Sequence, residues 1–380
     1  MKVLFFTQSL GRTGSEMMLY NLIRNANRGE FRMAVAAAAE GELLSRLPPD
    51  VPRSVYNRAD ATGLLRRAGR RAARALSGRA EEWLAGFARE YEGYVWYINS
   101  LVQPYVLRQA RRFGVECVVH SHEMEHMLWE MEEEDARNLV EYPRLVVACS
   151  DASADVLRQL GRRGALEVCR ETVALQDVVS SAEGARAVRR RLNVDDGTFL
   201  WAMSGSIDPN KNPIAFMDAA REMARRGRDA HFMWLGGGGR GYRPYVEGRS
   251  ELLGLGGRVS WVGARRDDYY DHLNAADGFV LTSLRDSFPL VMIEAAALGK
   301  PIVSFNSGGV REFVRPGMGV VIDSWNTSDL CDALAAVMNG ETPFDPAVAR
   351  ARAAEFDVRP QASRWEEIMR AHFGPARGGA

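Results

Sequence analysis

The sequence predicts an α/β protein of two doubly wound parallel-sheet domains, and three observations carry that expectation. Short apolar runs of strand length alternate with helical patterns along most of the chain, as in parallel sheets covered by helices. Several runs lead straight into a glycine-containing loop and then a helix, the place where open parallel sheets bind ligands. At 380 residues the chain is long for one hydrophobic core, so two domains are expected.

Composition narrows the function. Apolar residues make up 46% and charged residues 26%, ordinary for a globular protein, and the formal net charge of zero argues against a nucleic-acid binder. Cys117, Cys149, Cys169 and Cys331 form no C-x-x-C pair, which suits reduced, buried thiols and a cytoplasmic location. The start MKVLFFTQSLG turns polar too soon for a signal peptide, and no apolar run approaches the ~18 residues of a membrane span. Abundant alanine, arginine and glycine suit a bacterial source.

In order along the chain, Lys2 to Thr7 reads as a buried strand, Gln8 to Ser15 as a loop, and Glu16 to Asn25 as a helix. Met33 to Ala39 completes a β-α-β unit. Residues 64–76 set Leu64, Leu65, Ala68, Ala72, Ala75 and Leu76 against Arg66, Arg67, Arg70, Arg71 and Arg74. That pattern is either a solvated surface helix or a peripheral contact with an anionic membrane face. Val95 to Ser100 reads as a strand, Val102 to Phe113 as a helix and Val115 to His120 as a strand. Glu130 to Asp135 reads as a solvated acidic face, Arg144 to Cys149 as a strand, and Val168 to Leu175 as the last strand of the first domain. Charged and small residues then accumulate over 180–197, where the domain boundary is placed, between residues 185 and 186.

His122-Glu123-Met124-Glu125-His126 is literally H-E-x-x-H, the zinc metallopeptidase motif. It follows an apolar strand directly, however, whereas the zinc motif needs both histidines on one face of a helix, and no third ligand is evident downstream. The peptidase therefore stands as an unfavoured alternative.

The second domain, 186–358, begins with Phe199 to Met203, a loop through Gly205, Ser206 and Lys211, and a helix from Pro213 to Arg226. A lysine at such a strand–loop–helix mouth can neutralise a diphosphate. His231 to Leu235 ends in Gly236-Gly237-Gly238-Gly239-Arg240-Gly241, formally G-x-G-x-x-G, but no acid stands at the end of the next strand, Val259 to Val262, so a nicotinamide cofactor is not expected. Gly278 to Thr282 is a strand, a helix starts near Pro289 and stops at Gly299, and Pro301 to Phe305 is a strand. Asp286 and Glu294 frame the intervening turn, and the free N–H groups around Phe288, Leu290 and Val291, a stretch that includes Pro289 without an N–H of its own, can cradle an anion between them. Glu294 as a mere cap or salt-bridge partner is the competing reading. Asp329 to Met338 and Ala347 to Ala354 read as late helices.

Asp286-x7-Glu294, followed by Gly299-Lys300-Pro301-Ile302-Val303 and Ser307-Gly308-Gly309-Val310-x-Glu312, resembles the E-x7-E region of family 4 of the retaining GT-B glycosyltransferases. The resemblance is strong over 199–325 and diffuse over 1–180. It implies two Rossmann-like domains facing a central cleft, with Arg359 to Phe373 as a terminal helix crossing back to the first domain. It also implies a metal-independent transfer from a nucleoside-diphosphate sugar, with retention of configuration and no cofactor; a UDP-sugar is the preferred donor. Carried over residue by residue, Asp286 contacts the donor sugar and Glu294 the ribose. Lys211 matches the lysine of the family's Gly-Arg-x4-Lys, whose arginine falls on Ser206; Arg240, Arg265 and Arg266 are candidates to replace it. Thr13-Gly14-Ser15-Glu16 matches the Gly-Gly-x-Glu loop with one glycine changed and places Gly14 against the donor. His122 matches the histidine near donor sugar and acceptor, and Val262 and Gly263 lie near the nucleotide. The acceptor is a glycan, a lipid-linked compound or a small molecule. The changes at Asp286 and Ser206 keep open a catalytically silent nucleotide-sugar binder.

Overall fold

The computed structural model describes residues 1–56, 81–239 and 241–375, so the basic segment 64–76 and Arg240 lie outside the described residues. The chain forms two units, one of Met1–Thr172 with the segment from Val358 onward, the other of Val173–Asp357.

Among the described residues the first unit holds β1 (Lys2–Thr7), β2 (Arg32–Ala37), β3 (Arg53–Val55), β4 (Val95–Asn99), β5 (Cys117–Ser121), β6 (Leu145–Ala148) and β7 (Ala165–Val168). They lie in the order β3-β2-β1-β4-β5-β6-β7 with parallel pairings throughout. The second unit holds β8 (Phe199–Ser204), β9 (Ala230–Leu235), β10 (Val259–Gly263), β11 (Gly278–Leu281), β12 (Ile302–Phe305) and β13 (Gly319–Ile322). Its order is β10-β9-β8-β11-β12-β13, again parallel. Each sheet reverses its winding once, between β1 and β4 and between β8 and β11.

Strand β1 shows why these runs are uniformly apolar. Successive side chains point to opposite faces, and both faces are covered. Val3 and Phe5 join one core and Leu4 and Phe6 the other, all four fully buried. The first of those cores is closed by the C-terminal helix Val358–Phe373, whose Ala362, Trp365, Ile368 and Met369 recur at helical spacing and are buried. Trp365 packs its ring 5.0 Å from Phe31, and Glu366 and Arg370 tie the helix to Asn27 and Glu30.

Several boundaries differ from the sequence reading. The expected strand Val168 to Leu175 is β7 ending at Val168 and a short 3-10 turn at Leu175–Asp177. Between them the chain buries polar Glu171 and Thr172 and pairs Val173 with Asp357, where the units divide. The charged stretch after 180 is the helix Ala182–Arg191 of the second unit, bound in place by Arg189, which donates to the carbonyls of Ala275, Asp195 and Thr198. Asp135, expected on a solvated face, is buried and pairs with Arg108 at 2.6 Å. Pro289 caps the helix Leu290–Ala297 rather than entering it, since its ψ of 115° is extended. Among the described residues no helix is long and apolar enough to cross a membrane.

Candidate functional site

In the second unit the winding reverses between β8 and β11, and at such a switch point the two loops diverge and leave a crevice at the strand carboxyl ends. The loop after β8 and the loop after β11 are joined by side chains. Asn210 Nδ2 donates to the Arg285 carbonyl at 2.7 Å, the Arg285 amide donates back to Asn210 Oδ1 at 3.2 Å, and Thr282 Oγ1 donates to the Lys211 carbonyl at 2.8 Å. Lys211 is steadied by its own amide, which donates to Asp208 Oδ1 at 3.0 Å, and its ammonium forms an ion pair with Asp286. Both side chains keep some exposure, 21% for Lys211 and 13% for Asp286, so the pair is reachable.

Glycines make this edge close-packed. A Cβ on Gly236, at φ +144°, would stand 1.9 Å from the Gly205 carbonyl oxygen, so only glycine lets the β8 and β9 loops meet. Gly309 plays the same part for Asp286. Its Cβ would stand 2.1 Å from the Ser287 carbonyl oxygen, while the Asp286 amide donates to Ser307 and the Gly309 amide to Asp286. The Ser307-Gly308-Gly309 run thus clamps the backbone that presents Asp286.

Glu294, one turn into the helix Leu290–Ala297, accepts from two tyrosines of the helix Tyr269–Ala275: Tyr269 at 2.8 Å and Tyr270 at 3.1 Å. Burial raises the pKa of its carboxyl, and the two hydroxyls counteract part of that rise. Among the described residues, Glu294 is therefore neither a helix cap nor half of a salt bridge. Phe288 is a core residue, stacked on Phe356 at 5.2 Å, so only its backbone is available to a ligand. Ser206, where the family arginine was expected, is exposed and donates to Asp208. Val262 occupies a bulge in β10, where the register with β9 shifts between Trp261 and Gly263. The guanidinium of Arg243, a residue the sequence reading left out, lies beside Gly263, 3.4 Å from where a Cβ would be, and pairs with Glu247 at 2.8 Å.

The first unit gathers its polar residues at the corresponding reversal between β1 and β4. Glu16 folds the preceding loop onto the helix Gly14–Asn25 by accepting from the amides and hydroxyls of Ser9 and Thr13. Burial alone would raise its pKa, and these hydrogen bonds outweigh burial and leave it lowered. Gly14 is the exposed first residue of that helix. Asn99, the last residue of β4, donates through Nδ2 to the Ser15 carbonyl at 3.1 Å, which turns its Oδ1 toward His122 Nε2 at 2.9 Å. His122 Nδ1 lies 2.5 Å from Glu171 Oε1. With acceptors on both sides, both ring nitrogens carry protons, and His122 is an imidazolium. Burial opposes that charge, but Glu171 overcomes it, with a hydrogen bond donated to Cys149 adding to the effect, so the pKa stands well above the ordinary histidine value. His120, stacked on His122 with ring centroids 4.2 Å apart, is held neutral by burial and by that neighbouring charge.

The H-E-x-x-H segment does not form a peptidase site. His122 and Glu123 precede the short helix Glu125–Trp129, which contains only His126. Glu123 points inward and accepts from the Ser100 hydroxyl, the Leu101 amide at 3.0 Å, the Ser121 hydroxyl at 3.3 Å and the His122 amide at 2.8 Å. It anchors two loops. Among the described residues, His122, Cys149 and Glu171 bring metal-type donor atoms within 4.8 Å of one another. The 2.5 Å contact between His122 and Glu171 is a hydrogen bond, since two ligands on one zinc ion at ~2.0 Å lie about 3.3 Å apart. Asn99, Glu171, Tyr269 and Tyr270 escaped the sequence reading because they carry no motif and lie far along the chain from their partners.

Two α/β units, the second with glycine-packed loops and a lysine–carboxylate pair at its switch point, define a doubly wound parallel-sheet architecture. Residues 185–355 match the family described as Glycosyl transferases group 1. An alpha-D-kanosaminyltransferase of Streptomyces kanamyceticus is 26% identical over 208 residues, covering 53% of this chain and 53% of that protein. A D-inositol 3-phosphate glycosyltransferase of Rhodococcus jostii is 31% identical over 188 residues, covering 47% of this chain and 40% of that protein. The chain thus spans about half, or less, of the length of these curated relatives. Among solved structures, Anabaena Alr3699/HepE in complex with UDP and glucose gives a TM-score of 0.80 at 22% identity, covering 98% of this chain and 100% of that one. WaaG, a glycosyltransferase involved in lipopolysaccharide biosynthesis, gives 0.74 at 14% identity, covering 99% of this chain and 100% of that one. At these identities the likeness establishes the fold, two parallel-sheet Rossmann-like domains of the kind found in GT-B glycosyltransferases.

Proposed function

We propose that the protein is a retaining, metal-independent glycosyltransferase that moves a sugar from a nucleoside-diphosphate donor to an acceptor hydroxyl. The observation that carries the reading is the Lys211–Asp286 pair at the β8/β11 switch point, inside the segment that matches the glycosyl transferases group 1 family. Without donor, Asp286 is the counter-ion of Lys211. An arriving diphosphate offers the ammonium a stronger anion and frees the Asp286 carboxylate to accept from sugar hydroxyls. The first-turn amides of Leu290 and Val291, which have no acceptor within their own helix, add donors to the phosphate. As the bond from the anomeric carbon to the phosphate oxygen breaks, Lys211 and these amides stabilise the growing charge. The acceptor oxygen bonds to the anomeric carbon on the same face, and its proton passes to the departing phosphate.

His122, with both ring nitrogens occupied, acts through its fixed charge and position rather than as a general base. UDP-sugars are the first donors to test, since Alr3699/HepE was solved with UDP and glucose. The acceptor class remains glycan, lipid-linked or small molecule.

A thermal-shift panel of UDP, GDP, ADP, CDP and dTDP tests the binding half of the reading, and turnover of the matching nucleotide sugar tests the chemistry. One nucleotide should stabilise wild type, and Glu294→Ala should abolish the shift. Binding without transfer or hydrolysis, across acceptors of all three kinds, would identify a silent nucleotide-sugar binder instead. No shift with any nucleotide would remove the proposal.

A further inference from the structure

Three neighbouring strands of the first unit deliver metal-type side chains to one place. Ser121 pairs with Ala148 and Ala148 with Val168, so β5, β6 and β7 end in step. The ladder runs one rung further: the Cys149 amide donates to the Ser121 carbonyl at 3.2 Å, and the Cys169 amide to the Ala148 carbonyl at 2.9 Å. His122 and Cys149 therefore leave adjacent strands at the same level, and Glu171 follows shortly after Cys169. Among the described residues, one ligand atom each from His122, Cys149 and Glu171 lies within 4.8 Å of the other two. An imidazole nitrogen, a sulfur and a carboxylate oxygen form a mixed donor set that suits zinc, whereas magnesium and calcium take oxygen ligands.

The surroundings also match those of a metal-ligating histidine. His122 Nδ1 is turned to Glu171, and its other nitrogen, Nε2, donates to Asn99 Oδ1 at 2.9 Å. Asn99 is itself held in place, since its Nδ2 donates to the Ser15 carbonyl at 3.1 Å. A metal-bound histidine is normally oriented in this way, its second N–H tied to a fixed acceptor. The side chains of His122 and Glu171 are 7% and 4% exposed and Cys149 is fully buried, a low-dielectric setting in which attraction to a cation is strong. Glu171 Oε2 is buried and, among the described residues, has no hydrogen-bond partner, so the carboxylate offers a second oxygen to an ion.

We infer that His122, Cys149 and Glu171 form a zinc site, with three protein ligands and a fourth position left to water. The metal enters by exchange for protons. As Zn2+ binds, the His122 ring and the Cys149 thiol each release one proton, so the group of three is neutral before the exchange and neutral with the ion after it. The His122–Glu171 contact opens from 2.5 Å to about 3.3 Å to admit an ion ~2.0 Å from each atom. The ion takes no part in sugar transfer, which the reading above runs without metal. It replaces the charge on His122 instead, so bound zinc switches the enzyme off; this consequence alone rests on the glycosyltransferase reading.

The test uses the full chain, kept reduced and stripped with a chelator, titrated with zinc chloride by calorimetry and with cobalt chloride by absorption. Wild type should bind one zinc per chain, and cobalt should give the sulfur-to-metal charge-transfer band of a bound thiolate. Cys149→Ser should abolish the band and weaken zinc binding, whereas Cys169→Ser, one strand over, should keep both. Asn99→Ala, which frees the His122 ring, should weaken zinc by about 10- to 100-fold while the band persists at saturating cobalt. Zinc that fills the site should inhibit transfer by wild type, and Cys149→Ser should relieve that inhibition. No thiolate band in wild type would overturn the inference without recourse to any variant, and so would a band or an inhibition that survives Cys149→Ser. Both metal titrations read the site without donor or acceptor, so failure of the glycosyltransferase reading would show separately, as no transfer by the metal-free chain.

Discussion

Replacing Glu123 separates a structural carboxylate from a catalytic one and has a magnitude that can be worked from the fold. Glu123 is 9% exposed, and its carboxylate accepts from two backbone amides, Leu101 and His122, and two hydroxyls, Ser100 and Ser121. A hydrogen bond to a charged group is worth ~1.5–3 kcal/mol, and a buried donor left without a partner costs ~1–3 kcal/mol. The hydroxyls can rotate to other acceptors, whereas the amides are held by the ends of the β4 and β5 loops. Two stranded amides put Glu123→Ala at about 3–5 kcal/mol, at the high end for a point substitution. Glu123→Gln keeps one acceptor oxygen and turns an NH2 toward the remaining donors, which suggests about 2–3 kcal/mol. With a urea slope of ~2–3 kcal/mol/M for a unit of this size, the first unit's unfolding midpoint should fall by about 1–2 M in the alanine variant. Urea titration followed by tryptophan fluorescence and circular dichroism measures it, with the second unit's transition as the internal reference. If Glu123→Ala unfolds within ~0.2 M of wild type, the anchoring argument is wrong. A zinc-dependent hydrolase activity lost in that variant would point back to the peptidase motif.

Two further substitutions probe charge. Lys211→Ala should lower kcat/KM for the nucleotide sugar by about 100-fold or more, the usual cost of removing one group that stabilises transition-state charge, and weaken nucleotide binding; steady-state kinetics with the preferred donor checks it. Glu171→Gln should change the pH dependence of stability. The folded-state pKa of His122 is raised, so the stability it contributes is fully present below the ordinary histidine pKa of ~6.5 and is lost as pH rises through the raised value. Removing the carboxylate should therefore cost most at low pH, and the difference in melting temperature between wild type and variant should shrink as pH rises. A difference that stays constant from pH 5.5 to 9 would count against the imidazolium assignment.

The elements that sequence alone made legible are those whose cause is local. Strand β1 was readable because burial on both faces demands an unbroken apolar run, and the helix Pro213–Arg225 because proline and an apolar stripe mark it. The loop carrying Lys211 and the turn between Asp286 and Glu294 were readable for the same reason: each lies where a strand run stops and a helix begins. Short pieces such as Arg53–Val55 and Ala165–Val168 were not, since three or four residues carry too little periodicity to separate a strand from a loop.

By itself, then, the sequence determined the alternation of strands and helices, the glycines that let the β8, β9 and β12 loops approach, and which residue types stand at the strand ends. What it left to the tertiary structure is partnership. Lys211 meets Asp286 across 75 residues, His122 meets Glu171 across 49, and Glu294 meets Tyr269 and Tyr270 across 25 and 24. Helix and strand periods say which way a side chain faces relative to its neighbours, not which distant loop will face it. That choice is made by strand order, which sets β8 beside β11 and β1 beside β4, and the order follows from how whole sheets pack with their helices. For the same reason Glu123, which reads in sequence as part of a metal motif, is in the folded chain an acceptor for four donors of its own unit.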